Sequence, residues 1–93
     1  MEITEINVNL RNEEKLKAFV SITFDGSFVV KDIKVIKDGS GRLIICMPSR
    51  KLPDGSFRDI AHPVTSQMRK TLEDRIIKAY NEKAGKSDVE KQE

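Results

Sequence analysis

The residues whose chemistry could be more than structural are concentrated in one stretch, PSRKLPDGSFRDIAHP, at residues 48–63. It contains all three prolines and the only histidine of the chain, His62, together with the cations Arg50, Lys51 and Arg58. A histidine close to a carboxylate could act as a base, and a group of cations could bind phosphate. These two chemistries require different neighbours.

Catalysis would rest on His62, which follows Asp59 by three residues, a spacing that allows an acid–histidine contact. A nucleophile needs a base within hydrogen-bond reach and a third group that orients the base. The sequence places no serine, cysteine or second histidine to complete such a set. We therefore favour a structural role in which His62 hydrogen-bonds near the entry of a helix, and a hydrolase built on His62 and Asp59 is the weakest alternative.

A cofactor or metal is not predicted either. The single cysteine, Cys46, lies in the apolar segment LIICMP, where a buried and inert thiol is the usual outcome. One histidine with scattered carboxylates provides no recognised metal-ligand spacing. The sequence DGSG at residues 38–41 lacks the lysine and following helix of a phosphate-binding loop. We expect no cofactor, no metal and no enzymatic activity.

Nucleic-acid binding has more support from the residue types. Arg50 and Lys51 lie beside a turn, Arg58 follows that turn, and Arg69 and Lys70 fall in the first turns of a predicted helix. Phosphate groups are bound by such cations and by the free amides of helix N-termini. If residues 48–63 fold against the helix start, these groups converge on one surface.

Solvated charge is the alternative interpretation of the same cations. Arg69 and Lys70 could each pair with an acid one helical turn later, Glu73 and Asp74. Arg50 and Lys51 could protect an edge strand from aggregation. There is no helix-turn-helix and no aromatic RNA-recognition motif, and Phe57 is the one aromatic residue left free to stack on a base. The residues alone leave both interpretations open.

The elements that would position these residues are strands first and a helix last. Apolar residues alternate at positions 6–10 and 16–24, FVVKDIKVI at 28–36 is the predicted return strand, and a short apolar strand follows at 42–48. Turn sequences separate them, including the Asp25–Gly26 pair that favours a tight hairpin. The pattern predicts a four-stranded antiparallel meander. The turn sequence LPDG at 52–55 predicts a small additional hairpin.

The predicted helix begins after Pro63, with Thr65 or Ser66 as its N-cap and Gly85 as its end. Its apolar stripe is Met68, Leu72, Ile76, Ala79 and Tyr80. Ile77 lies beside the stripe, and could either widen it or contact a partner subunit. The fold class is α+β, with one domain at residues 1–84 and a disordered C-terminal tail at 85–93.

Composition bounds the remaining expectations. Of the 93 residues 38% are hydrophobic and 34% charged, so the core is thin and we expect a homodimer. The net charge of +2 decides nothing by itself. The N-terminus MEITEINVNL lacks the basic and apolar regions of a signal peptide, and no segment is long and apolar enough to span a membrane. We expect a cytoplasmic protein without membrane insertion.

The motifs MPS at 47–49, PDG at 53–55 and FRDIAHP at 57–63 occur here in an order that closely resembles the stage V sporulation protein G family, the bacterial septation regulators. The N-terminal MEIT and the strand FVVKDIKVI also resemble this family, and the likeness spans about residues 1–80. Many members have alanine before MPS where this chain has Cys46, which agrees with an unreactive thiol.

The resemblance implies a small homodimeric α+β protein that binds DNA and RNA without catalytic activity. Such proteins act in division septum formation, in sporulation where the host sporulates, and in gene regulation. In the family the helix start contributes to nucleic-acid contact, which implies Arg69, Lys70 and Thr71 here. Arg50, Lys51 and Arg58 are added from their charge and position.

A rival hypothesis is a protein-interaction module at the division septum, with septum proteins as partners and nucleic-acid binding incidental. Exposed sheet edges and Ile77 would carry those contacts.

Overall fold

The computed structural model describes the backbone of residues 1–11 and 13–92, and the side chains of residues 1–11 and 13–85. The elements are β1 (Ile3–Leu10), β2 (Leu16–Phe24), β3 (Phe28–Lys37), β4 (Leu43–Cys46), β5 (Ser49–Lys51), β6 (Phe57–Asp59) and α1 (Ser66–Gln92). Strands β1 to β4 form one antiparallel sheet in chain order, and β5 and β6 form a separate two-stranded sheet. The predicted α+β architecture of meander, small hairpin and C-terminal helix is confirmed.

The turn between β2 and β3 explains why the meander forms where it does. Asp25 and Gly26 both have positive φ, 51° and 59°, and the Ser27 N–H donates to the Phe24 carbonyl oxygen at 2.9 Å. Positive φ at both central positions matches the right-handed twist of a hairpin, and aspartate and glycine tolerate it best. The Asp25–Gly26 pair therefore fixes the pairing of the two longest strands.

The core lies between one face of the four-stranded sheet and α1. Alternate residues of β2 and β3 face the helix, as the two-residue period predicts. The helix contributes Leu72 and Ile76, of which Ile76 is completely buried. The buried residues are Val8, Ala18, Val20, Ile22, Phe24, Ile33, Val35, Leu72 and Ile76. The opposite face of the sheet has no helix packed on it within the part of the chain that is described.

Helix α1 begins where a side chain satisfies its first free amides. The Thr65 Oγ1 accepts a hydrogen bond from the Met68 N–H at 3.1 Å, so Thr65 rather than Ser66 is the N-cap. The predicted end at Gly85 is wrong, because α1 continues through it to Gln92. A glycine inside a helix costs only about 1 kcal/mol relative to alanine, which is too little to end it. No helix of the described residues is long and apolar enough to cross a membrane.

The predicted disordered tail at 85–93 begins inside α1, and the side chains of residues 86–93 lie outside the described residues. The division of the chain at residue 84 therefore stays a prediction.

Two residues differ in burial from the simplest interpretation of the sequence. Cys46 is half-buried rather than buried, because its cross-strand partner Lys34 lies on the face of the sheet turned away from α1. Ile77 is half-buried and borders a shallow groove with Ile44 and Ile45 of β4. Ile77 is not one of the half-buried side chains that pack against the core, so both of its predicted roles stay predictions.

The turn after β3 yields a prediction about acid stability. The Asp38 Oδ1 accepts hydrogen bonds from the Ser40 hydroxyl at 2.7 Å and from the Ser40 and Arg42 N–H groups at 2.9 Å. These bonds, led by that of the Ser40 hydroxyl, lower the pKa of Asp38. A carboxyl whose pKa is lower in the folded state adds stability above its unfolded pKa of about 3.9 and loses it as pH falls through the folded value.

Asp38→Asn keeps the acceptor oxygen but cannot titrate, so we expect a flatter loss of melting temperature between about pH 5 and about pH 2 than in the wild type. Thermal unfolding followed by circular dichroism at successive pH values measures this. Glu82→Gln, which removes an exposed carboxylate of α1, is the matched control. If the melting temperatures of Asp38→Asn and the wild type fell equally with pH, the Asp38 carboxylate would not contribute to the acid sensitivity of the fold.

Candidate nucleic-acid interface

The hairpin formed by β5 and β6 is the most exposed part of the described fold. Its pairs are Ser49 with Asp59, Arg50 with Arg58, and Lys51 with Phe57. All six residues are exposed, so the hairpin packs chiefly against itself. At its tip the Gly55 N–H donates to the Leu52 carbonyl oxygen at 2.9 Å, and Gly55 has a φ of 90° that glycine adopts without strain. The hairpin predicted from LPDG is confirmed.

The two faces of this hairpin differ in chemistry. Cross-strand partners project to the same face, and neighbouring pairs project to opposite faces. Arg50 and Arg58 therefore share one face, which we call the arginine face. The other face carries the Lys51–Phe57 and Ser49–Asp59 pairs, and we call it the Phe57 face. The structure thus brings together two of the three hairpin cations predicted from sequence and separates Lys51 from them.

The arginine face concentrates positive charge without an acid beside it. Asp59 belongs to the Phe57 face, and Asp54 in the tip accepts hydrogen bonds from the Ser56 hydroxyl at 2.6 Å and from its N–H at 2.9 Å. These bonds, first that of the hydroxyl, lower the pKa of Asp54. Like charges directly opposite each other destabilise a strand pair. Two guanidinium groups in this arrangement suit an oxyanion such as phosphate, which each can bind through two N–H groups.

The start of α1 carries the other three predicted residues. Arg69, Lys70 and Thr71 are all exposed. Successive helical residues are about 100° apart, so the three side chains leave the helix in different directions rather than as one cluster. The Thr71 hydroxyl donates to the Gln67 carbonyl oxygen at 3.0 Å.

The ion pairs of the solvated-charge interpretation are not made by the residues that the structure describes. Neither Arg69 nor Lys70 donates a hydrogen bond to the acid one turn later. The lysine ammonium groups that do donate are those of Lys17 and Lys83, and both donate to backbone carbonyl oxygens. The cations of the helix start are therefore free to contact a ligand.

The base of the hairpin adjoins the helix start through a shared groove of about 190 Å³. Met47 precedes the hairpin, His62 and Pro63 follow it, and all three line this groove together with Met68 and Leu72 of α1. The Ile60 N–H donates to the Pro48 carbonyl oxygen at 2.7 Å and closes the base. The ends of the 48–63 segment thus lie against the helix start, and the convergence of the cations on one surface stays a prediction.

Several exposed apolar side chains lie on the segment from Phe57 to Val64 and in this groove, and of these only Phe57 was identified from sequence as a possible contact residue. Phe57, Ile60 and Val64 are 70%, 67% and 87% exposed, and Met1 and Phe28 at the groove are 78% and 67% exposed. No periodicity distinguishes them, because the segment from Phe57 to the helix is irregular after β6. Only its unusual apolar content, FRDIAHPV, could have indicated them.

His62 occupies a structural position. Its Nδ1 lies 3.0 Å from the Pro63 carbonyl oxygen, a hydrogen bond at the helix entry as predicted. Asp59 is paired across the hairpin with Ser49. In the described residues no group of three or more His, Cys, Asp or Glu side chains is placed to hold a metal ion.

The part of the sequence that matches known proteins includes both the hairpin and the helix start. Residues 1–82 match the sequence model of the family described as SpoVG. The chain belongs to the SpoVG family. The resemblance found in the motifs MPS, PDG and FRDIAHP is thereby confirmed.

Three SpoVG relatives illustrate the extent of the likeness. The chain is 55% identical over 83 residues to a protein of Clostridioides difficile (strain 630), covering 88% of this chain and 89% of the relative. It is 57% identical over 81 residues to one of Thermoanaerobacter sp. (strain X514), covering 86% and 87%. It is 46% identical over 93 residues to one of Clostridium botulinum (strain Eklund 17B / Type B), covering 99% and 100%. Each is named "Putative septation protein SpoVG", a name that denotes no enzyme.

The arginine face leads to a prediction about stability. Arg58→Gln removes the repulsion with Arg50, so we expect the free energy of unfolding to rise by about 0.2–1 kcal/mol. The gain should shrink as salt is added, because salt screens exposed charges. Urea unfolding at low and high salt measures both effects. Lys51→Gln, whose partner is Phe57, is the matched control; a loss of stability in Arg58→Gln would show that the pair is not repulsive.

Proposed function

We propose that this protein is a homodimeric regulator that binds DNA and RNA in the cytoplasm and acts in division septum formation. Where the host forms spores, it also acts in sporulation. The cellular role is supported by membership of the SpoVG family and by the septation names of its relatives. The molecular activity is supported chiefly by one observation, the pairing of Arg50 with Arg58 on an exposed hairpin.

The arginine pair destabilises the free hairpin but would bind phosphate well. Two opposed guanidinium groups weaken the hairpin, and no carboxylate shares their face to offset the repulsion. A bound phosphate placed between them would replace repulsion by two charge-assisted contacts. Such contacts to the nucleic-acid backbone do not depend on base sequence, so they suit both DNA and RNA.

The helix start adds to this contact. Arg69 and Lys70 are exposed and follow Met68, which lines the groove at the base of the hairpin, and Thr71 is exposed on the same turn and could donate to a phosphate oxygen if its hydroxyl turned away from the Gln67 carbonyl oxygen. The first amides of α1 favour an anion because they are the positive end of the helix. Lys51 lies on the Phe57 face, so its contribution is smaller than that of Arg50 or Arg58. The proposed contact residues are Arg50, Lys51, Arg58, Arg69, Lys70 and Thr71.

Dimerisation is supported by the apolar surface around the groove. Phe57, Ile60 and Val64 are exposed on one segment, and the groove at the foot of the same segment is lined mainly by apolar side chains. Soluble monomers rarely expose large apolar surfaces, and three such side chains within eight residues beside an apolar groove are a candidate interface. A two-fold dimer uses the same patch on both subunits, so one copy can bury the exposed segment of the other.

The rival hypothesis, a protein-interaction module at the septum, draws on the same apolar surface. Ile77 is half-buried and lines a shallow groove with Ile44 and Ile45 of β4, so part of it is accessible to such a partner. The exposed Phe57, Ile60 and Val64 also favour it if the protein proves to be a monomer.

Nucleic-acid binding is tested with two double variants, one on the arginine face of the hairpin and one at the start of α1. We expect Arg50→Gln with Arg58→Gln, and separately Arg69→Ala with Lys70→Ala, to weaken binding to duplex DNA in gel shifts without unfolding the domain. Each phosphate contact removed lowers the slope of log affinity against log salt by about 0.9. Lys37→Gln is the matched control, since it removes one exposed cation that is not among the proposed contact residues.

Three results would contradict parts of this proposal. Wild-type affinity in the Arg50 and Arg58 double variant removes the arginine face from the site. Wild-type affinity in the Arg69 and Lys70 double variant removes the helix start. Affinity of the wild type that does not change between low and moderate salt excludes an electrostatic mechanism.

The dimer is tested by analytical ultracentrifugation. Phe57→Ser with Ile60→Ser should raise the dimer dissociation constant at least tenfold, because a fully buried apolar side chain of this size contributes about 1.5–3 kcal/mol. Val29→Ser is the control, since Val29 is also exposed but pairs with Thr23 on the other face of the sheet. A wild-type protein that is monomeric at micromolar concentration would contradict the dimer and favour a different partner for this surface.

A further inference from the structure

The face of the four-stranded sheet turned away from α1 has a composition that the fold alone does not require. Cross-strand partners place Asn9, Phe19 and Lys34 in one row across three strands. Asn7 and Ser21 form the next row, and Glu5 and Thr23 the one after. This face, which we call the open face, thus presents an aromatic ring among amides, hydroxyls and an ammonium group in these rows, together with the exposed apolar side chains of Val29 and Ile44 farther across the sheet.

The open face is concave rather than flat. A groove of about 430 Å³ is lined by residues of β1, β2 and β3, including Asn7, Asn9, Phe19, Ser21 and Lys31. The pairing shifts between Val20 and Ile22, where β3 contains one extra residue, and Asp32 there has a φ of 63°. Such a bulge increases the local twist of the sheet and redirects neighbouring side chains. The bulge therefore brings Lys31 to the groove beside Asp32.

Cations predominate around this groove. Lys31, Lys34 and Lys83 lie in or beside it, and the Arg11 guanidinium carbon is 5.1 Å from the centroid of the Phe19 ring. The acids are Asp32 and Glu5.

Two of the groups in and around the groove already have partners. The Glu5 carboxylate accepts a hydrogen bond from the Asn7 side-chain amide at 2.7 Å. The Lys83 ammonium group donates to the Val8 carbonyl oxygen at 2.6 Å. Neither hydrogen bond neutralises a charge, so the four cations, against Asp32 and Glu5, leave a net positive charge that is complementary to a polyanion.

We propose that the open face binds single-stranded nucleic acid, as a second contact region separate from the arginine face; this inference rests on the proposed function. Phe19, together with the guanidinium group of Arg11, stacks on an unpaired base. Lys31 and Lys34 contact the phosphates on either side, and Asn7, Asn9 and Ser21 donate to or accept from base edges. An aromatic ring flanked by cations is the arrangement by which sheets bind exposed bases with little sequence preference.

A single strand fits this face better than the alternatives do. A duplex hides the faces of its bases, so Phe19 would have no base to stack on. A second copy of the chain would have to bury the polar lining of this groove, at a cost unless each amide and ammonium group found a partner. The apolar surface around the other groove offers a second copy a less costly interface.

The test compares two variants on the open face, one on β2 and one on β3, with a control variant on the helix-facing side of β3. Phe19→Leu keeps an apolar side chain but removes stacking, and Lys34→Gln removes one cation. Lys37→Gln is the matched control, because Lys37 is exposed on the same strand but pairs with Leu43 of the core side. Binding is measured by fluorescence anisotropy to oligo(U), oligo(dT) and a duplex, each of about 20 nucleotides or base pairs, which exceeds the site of one module.

We expect Phe19→Leu to weaken binding to both single strands about tenfold and to leave duplex binding unchanged. Lys34→Gln should lower the single-strand salt slope by about 0.7, and Lys37→Gln should change neither. Circular dichroism and thermal unfolding confirm that each variant is folded. If Phe19→Leu proves unstable, Lys34→Gln against Lys37→Gln decides the question alone.

Different results would overturn single-strand binding by the open face and nucleic-acid binding by the protein as a whole. Single-strand affinity unchanged in both open-face variants, with affinity lost in the Arg50 and Arg58 double variant, overturns the inference alone. A wild-type protein that binds none of the three probes overturns both. Open-face variants that alter the dimer dissociation constant but not oligonucleotide affinity show that a second copy covers this face, which also overturns the inference.

Discussion

One helix has to cover a sheet that is wider than itself, and the surfaces of the molecule follow from this constraint. The outer strands of a four-stranded sheet are about 14 Å apart, whereas a helix with its side chains is about 10–12 Å across. Leu72 and Ile76 seal the centre over β2 and β3, where burial is complete. At the start of α1 the cover ends, and Met47, Met68 and Phe28 border an open apolar groove instead. The open face on the other side has no helix packed on it within the described residues, although Lys83 of α1 reaches the edge of its groove.

The hairpin beside that groove is held by its backbone rather than by its side chains. A two-stranded hairpin is marginal in water, and this one carries opposed arginines. The Leu52 N–H bonds the Ser56 carbonyl oxygen at 2.7 Å near the tip, and the Ile60 N–H bonds the Pro48 carbonyl oxygen at 2.7 Å at the base. Because both ends are closed, Arg50 and Arg58 are held side by side before any ligand arrives. Binding then loses less conformational entropy than it would on a flexible loop.

Local patterns predicted the elements well and their mutual placement poorly. The alternation in β2 and the Asp25–Gly26 turn are local signals, so strand and turn could be predicted from them. The segment LIIC of β4 is apolar at every position, so its sequence could not show that Cys46 faces away from the helix. The split between Lys51 and the arginine pair depends on the hairpin register, which the LPDG turn alone does not determine. The contact of the hairpin base with α1 depends on the path of residues 60–65, which has no periodicity.

The two faces of the hairpin would allow the proposed dimerisation and the proposed phosphate binding to occur together. Its Phe57 face and its arginine face are opposite sides of the same two strands, so a partner that covers Phe57 leaves Arg50 and Arg58 pointing outward. A two-fold dimer then presents two arginine faces at a fixed separation. A second contact on the same nucleic acid becomes intramolecular, and its effective concentration raises the overall affinity without any new type of contact. A chain with a net charge of only +2 could in this way hold a polyanion through a few well-placed cations.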